Sequence, residues 1–314
     1  MSIDKVKRAM LAMTRQCWEQ GIAAQAMLEC GEMETMCLMA LDCVVRQNAD
    51  GRLCDVENTP AIVDPTVCVE SVLAAGRMMN DTRMIDAAMR NVAYLLHDAP
   101  ATPDGARYHI LGDEEVWADS MAMGPHVLMS AGYRDEGMAH YRAIERRLKD
   151  PETGLYHHKW HEGRQTFTRG LYWGVGNGWA LVGLMRMTRA MLDAGDPRAD
   201  ELAADFATLV DAMIPWQAEN GLFHDVLDDG ETFYESEVSE MFAYSIYNMV
   251  SWKKMEDRYL ERADLARRAV AARVDANGII QGSSGSPTFE QEGTSVEAQA
   301  HYIMMEVAAR KLKR

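Results

Sequence analysis

Residues 220–250 read NGLFHDVLDDGETFYESEVSEMFAYSIYNMV. Asn220-Gly221 is a turn dipeptide, because Gly supplies a positive φ and Asn tolerates the turn beside it. A polar and aromatic loop follows as far as Glu235. From 238 to 250 the chain is apolar on every side, the pattern of a helix with neighbours all round. The same unit recurs at Asp50-Gly51, Asp104-Gly105, Thr153-Gly154 and Asn277-Gly278, with successive glycines 49 to 67 residues apart. The helices that follow these loops, near 67–79, 120–131, 178–191 and 295–309, are rich in Ala, Met, Val and Gly. Those that close each unit, such as 135–149 and 257–273, are more charged.

Periodicity and start and stop signals predict helices near 3–16, 19–30, 34–47, 66–79, 82–97, 118–131, 135–149, 178–193, 198–214, 237–251, 257–273 and 294–312. Alternating apolar and polar helices suit two layers, since an outer helix needs only one apolar stripe. Twelve such helices make six hairpins, enough to close a ring. The expectation is all-α, an (α/α)6 barrel of six helical hairpins, with residues 1–314 as a single domain. An open solenoid would have shorter units without long loops on one side. In a barrel every Gly-turn loop falls at the end where inner helices begin, so the chemistry belongs there.

Composition narrows the function. The 314 residues carry 32 Lys+Arg against 48 Asp+Glu, a net charge of −16, which disfavours nucleic acid and anionic membrane surfaces as partners. No stretch approaches the roughly 18 apolar residues of a membrane span. The mixed-charge start, Met1 to Arg8, is unlike a signal peptide, which points to the cytoplasm. All six cysteines lie between Cys17 and Cys68 without a CxxC pair and read as reduced, mostly buried thiols. The 24 methionines read as flexible core filler. Oligomeric state leaves no mark on the pattern.

Four loops carry chemistry. Asp64-Pro65 and Trp117-Ala118-Asp119-Ser120 each place an Asp at the start of an apolar helix. Such an Asp is ordinarily a cap. However, Trp117 beside Asp119 also suits a sugar ring held against an acid, and two carboxylates in one pocket can separate their pKa values into acid and base. The segment Leu155 to Arg164 holds His157, His158 and His161, whose spacing is wrong for a helical zinc site, so no metal is expected. The same loop has Lys159, Arg164 and Arg169 against Glu162, a locally positive candidate for binding one carboxylate. Trp173-Gly174-Val175-Gly176-Asn177-Gly178-Trp179 lacks the preceding strand of a dinucleotide site. Its glycines allow close backbone approach, with Trp173 and Trp179 as platforms. The acidic run Asp225, Asp228, Asp229, Glu235 and Glu237 does not match a calcium loop and reads as a solvated, capped turn.

Taken in order, five motifs resemble one family. They are Val116-Trp117-Ala118-Asp119; Asp150-Pro151-Glu152-Thr153-Gly154-Leu155-Tyr156 with His158; the Trp173–Trp179 run; Gly221 to Asp229 with Glu235 through Tyr244; and Gly293-Thr294-Ser295-Val296-Glu297-Ala298-Gln299-Ala300. The chain resembles the unsaturated uronyl hydrolases of glycoside hydrolase families 88 and 105, especially the unsaturated rhamnogalacturonyl hydrolase type. The resemblance implies a six-hairpin α/α barrel and no cofactor. It assigns the proton donor to Asp119 and the second catalytic Asp to Asp64. Substrate contacts fall on Trp117, His158, Trp173 and Trp179, with Asn177 and Arg164 beside them. Val175 stands where family 105 often has Arg, so carboxylate recognition would shift to Arg164, Arg169 or His158. The implied substrate is a small anionic oligosaccharide ending in a 4,5-unsaturated uronic acid. The rival readings are a saturated glycoside hydrolase using the same Asp pair, and a sugar-binding protein without turnover.

Overall fold

Small and apolar side chains around the whole circumference of a helix let it be surrounded, and five helices of the C-terminal half sort on that basis. In the computed structural model, which describes residues 3–56 and 59–312, two compact units are distinguished. The first comprises residues 14–148 with 159–170, and the second comprises 1–13, 149–158 and 171–314.

In chain order the elements are α1 (Ile3–Met13), α2 (Cys17–Cys30), α3 (Met33–Val45), α4 (Val69–Met79), α5 (Thr82–Ala93), β1 (Glu115–Trp117), α6 (Ser120–Met123), α7 (Pro125–Ser130) and α8 (Arg134–Leu148). There follow β2 (Lys159–His161), β3 (Thr166–Arg169), α9 (Gly174–Asp193), α10 (Arg198–Met213), β4 (Phe223–His224), β5 (Tyr234–Glu235), α11 (Ser236–Ser251), α12 (Leu260–Ala271) and α13 (Val296–Leu312). Every expected helical stretch contains a helix.

Within the second unit, α9 packs on α11 and α11 on α13, while α10 lies against α9, α12 against α11 and α1 against α13. Burial separates the layers. Seventeen of the 20 residues of α9 are buried, against three of 12 in α12. Gly178 is where α9 meets α11, because a Cβ there would run into the Met241 side chain. At the turn ahead of α11, Gly221 has φ +95° and an added Cβ would lie 2.7 Å from the Leu265 carbonyl oxygen. Only Gly meets both demands.

Within the first unit, α2 packs on α3 and on a 3-10 turn at Asp64–Cys68, α4 pairs with α5, and α7 pairs with α8. Two local features differ from the sequence expectation. The helix expected over 118–131 is broken at Gly124-Pro125 into α6 and α7, since Gly124 takes φ −141° and Pro125 lacks the N–H to continue. The positive loop also contributes β2 and β3 to an antiparallel sheet with β1, its strands too short to show alternation. Methionines fill the interior as expected, among them Met27, Met36, Met121, Met187, Met241 and Met304.

Candidate active site

The first unit assembles its site from the Asp64 turn, the loop before β1, and the β1–α6 junction. Neither aspartate behaves as a helix cap. Asp64 is itself the first residue of its turn, whose cap position is Val63, and Asp119, at the cap position of α6, makes no side-chain capping hydrogen bond. The ordinary explanation for both residues is therefore removed, although Asp119 stands immediately before α6.

What joins them is His109, a residue outside every motif of the sequence. Its Nε2 is 3.2 Å from Asp64 Oδ1 and its Nδ1 is 3.3 Å from the Ser120 hydroxyl. The ring stacks on Trp117 with centroids 4.1 Å apart and planes at 10°. Burial disfavours the charged imidazole, but the charge of Asp64, its hydrogen bond and the charge of Asp119 prevail over burial and the opposing Lys159. The net result is a His109 pKa above its ordinary value. A lone His outside any motif gives no sequence signal, which is why only its neighbours reveal it.

Trp117 serves this cluster from within. It carries His109 on its ring, has the Lys159 ammonium 3.4 Å from the ring centroid, and donates Nε1–H to Glu115 at 2.7 Å. Lys159 and Arg169 are cross-strand neighbours on β2 and β3, and Arg164 is exposed at the turn between those strands. Glu162, the acidic member of the loop, is tied to Arg147 at 2.7 Å. Its charge is thus compensated by Arg147.

The second unit holds the other expected residues. His158 is buried, donates its backbone N–H to Leu171, and stacks on Trp173 at 4.4 Å. Trp173 Nε1–H donates to Asp225 at 3.0 Å. Asn177 works differently from the expected substrate contact. It accepts the Tyr156 N–H at 2.8 Å and donates to the carbonyls of Tyr156 and Trp173 at 2.9 and 3.0 Å. Both amide protons are thereby engaged, and the side chain pins the His158 loop to α9. Trp179 is also buried, meeting His301 edge-on at 5.2 Å.

The acidic run corrects one expectation. Asp228 and Asp229 are exposed, but Asp225, Glu235, Glu237 and Glu240 are buried rather than solvated. Glu235 caps α11 through the Val238 N–H at 2.7 Å and also accepts from Ser284 N–H at 3.1 Å. Burial, then the charge of Glu237, pushes Glu235 well up despite the capping bond. Glu237 accepts from Ser295 Oγ at 3.0 Å and lies 3.5 Å from His301 Nδ1. Neither oxygen of Glu240 meets a hydrogen-bond partner among the described residues, and burial followed by the charges of Glu237 and Glu235 raises it well above the usual carboxylate range. The three neighbouring histidines also diverge: His157 stacks on Tyr172 and His158 on Trp173, while His161 lies 3.9 Å from Asp113. Among the described residues, no helix is long and apolar enough to cross a membrane.

Within the first unit, helical elements thus bring two aspartates beside a buried histidine. The chain belongs to Glycosyl Hydrolase Family 88, whose family model matches residues 2–310. It is 26% identical over 206 residues to the unsaturated rhamnogalacturonyl hydrolase YesR of Bacillus subtilis (strain 168), a match spanning 62% of this chain and 59% of that relative, under two thirds of its length. A possible GH105 member from Salmonella enterica serovar Paratyphi A superposes with TM-score 0.86 at 18% identity, over 99% of this chain and 93% of that one. The unsaturated glucuronyl hydrolase responsible for glycosaminoglycan degradation from Bacillus sp. GL1 gives 0.72 at 16%, over 94% and 86%. These likenesses show the fold, the all-α helical barrel class expected from the recurring hairpins.

Proposed function

We propose that the chain removes a 4,5-unsaturated uronic acid from the non-reducing end of a lyase-generated oligosaccharide, by hydrating the vinyl ether. The observation that carries this is the Asp64–His109 pair beside an Asp119 that does not cap its helix. Family membership supports the same reading.

In the proposed reaction Asp119 acts as general acid and protonates C4, and positive charge develops at C5. Water adds at C5, giving its proton to the Asp119 carboxylate and restoring the acid. The resulting hemiketal opens and expels the aglycone, so one water is consumed for one glycosidic bond broken. Asp64, paired with His109, is the second carboxylate. Its fixed negative charge stabilises the developing cation, an electrostatic role that needs no movement. The substrate carboxylate is assigned to the cationic side chains of the 159–169 loop, Arg164 and Arg169 among them, as Val175 offers no charge. Within the second unit His158, Trp173 and Trp179 are the proposed sugar-contacting aromatic residues, and Asn177 holds the His158 loop. One locally positive loop in a chain of charge −16 suits a small, singly charged fragment. We place the whole chain, 1–314, in one catalytic domain acting in the cytoplasm.

The test uses lyase digests of pectin, glycosaminoglycan and ulvan, following loss of the C4=C5 absorbance. The parent protein should bleach at least one digest and Asp119→Asn should not. Equal activity in that variant, or cleavage of a saturated aryl glucuronide in place of the unsaturated substrates, would overturn the proposal.

A further inference from the structure

Four of the six cysteines are buried, and three of them converge within the first unit. Cys43 on α3, Cys54 in the loop after it and Cys68 at the end of the 3-10 turn place their Sγ atoms all within 4.8 Å of one another. Each is 0% exposed. The chain bends sharply to achieve this. Cys54 adopts φ +57°, a left-handed conformation rare for a residue with a Cβ, and its N–H donates to the Cys43 carbonyl at 3.0 Å. Strain of this kind persists only where the surroundings over-determine it. Here it turns a third of the thiol set toward the other two.

We propose that Cys43, Cys54 and Cys68 form a three-thiolate site for a soft, thiophilic metal ion. A metal–sulfur distance of roughly 2.3 Å requires each Sγ to move inward by only about half an ångström from a 4.8 Å triangle. Thiolate sulfur selects such ions over magnesium or calcium, which take oxygen. Among the described residues no imidazole or carboxylate joins the group, so the protein supplies three donors. Three donors favour monovalent copper, while zinc also takes thiolate sulfur and completes its shell with a further ligand. Either ion displaces thiol protons on binding, because thiolate is the ligand. Full burial implies that the ion enters while the chain folds or opens locally, and then leaves slowly. The turn that supplies Cys68 also carries Asp64, so an occupant stiffens the base of that aspartate.

The experiment needs no turnover. Purified reduced protein is given copper(I) or zinc without oxygen, passed through a chelating column, and its metal content measured. About one ion per chain should be retained from one of the two additions. Both Cys54→Ser and Cys43→Ser should lose it, while Cys37→Ser, outside the cluster, should keep it. Circular dichroism separates lost binding from lost folding, and two ligand variants guard against failure of either one. Retention of neither ion by the parent protein, or full retention in a folded ligand variant, overturns the proposal.

Discussion

His109→Phe separates the electrostatic role of the imidazole from its shape. The phenyl ring keeps the stack on Trp117 but removes both nitrogens, leaving Asp64, only 6% exposed, without its cationic partner. Breaking a buried ion pair from one side typically costs about 3–5 kcal/mol, because the remaining charge is uncompensated. In a chain of 314 residues each kcal/mol is worth about 1.5 °C in Tm, so a fall of roughly 5–8 °C is expected near pH 6. The loss should shrink with pH. The folded imidazole holds its proton to higher pH than the unfolded one, whose ordinary value is 6.5. The pair's contribution is therefore complete below pH 6.5 and is lost as pH rises through the raised folded value. Above that range the parent keeps only a neutral imidazole beside Asp64, so the gap between parent and variant should narrow. Calorimetric or denaturant unfolding of parent and variant at pH 6 and pH 9 reads the difference directly. A gap of equal size at both values would refute an ion pair at His109. No gap at either would refute its structural importance.

Other outcomes follow from the same geometry. Asp119→Asn should lower turnover by about 10²–10⁴-fold, the usual contribution of a general acid. Its Tm should hardly move, since no cap is lost; a drop equivalent to ~1 kcal/mol would restore the capping explanation. Glu240→Gln removes a buried acid whose folded pKa is raised, so the parent loses stability as pH climbs from about 4.5 toward that value and the variant does not. Unfolding at pH 8 should find the variant at least as stable as the parent, and parity should return near pH 4. Asn177→Ala frees the Tyr156 N–H and two carbonyls in the interior and should cost about 1–3 kcal/mol. Faster hydrogen exchange at Tyr156 would locate that loss; unchanged exchange would show that the amide is not what pins the loop. Gly221→Ala combines a left-handed φ with a collision on the Leu265 carbonyl, and a Tm within 2 °C of the parent would contradict both.

Much of the site is legible in the amino-acid sequence, but unevenly. Asp64 and Asp119 stand out because each precedes an apolar helix, yet the same position is where a capping residue belongs. Only the absence of capping bonds distinguishes the two explanations. Trp173 and His158 are marked by their loops, and the fold joins them in one stack. Asn177 sits among them and serves the backbone, because an amide beside a buried N–H and two carbonyls satisfies them before any ligand arrives. His109 and the Cys43, Cys54 and Cys68 group leave no such mark, for a common reason. Their meaning lies in neighbours 8 to 45 residues distant in sequence, and no periodicity records such a meeting.

By itself the sequence determined what is local and repeated. Helix periodicity, Gly turns and the alternation of apolar with charged helices follow from bonds and side chains within a few residues of each other, so twelve helical stretches and their layers can be read directly. The acidic balance likewise disfavours polyanionic partners without reference to shape. Tertiary structure alone decided which polar groups lost water and which partners replaced it. The same carboxylate is exposed at Asp229 and buried at Glu240, and the energy of a charge depends chiefly on that difference. That is why the buried Glu240, the His109 beside Asp64 and the cluster of Cys43, Cys54 and Cys68 become visible only once the chain is folded around them.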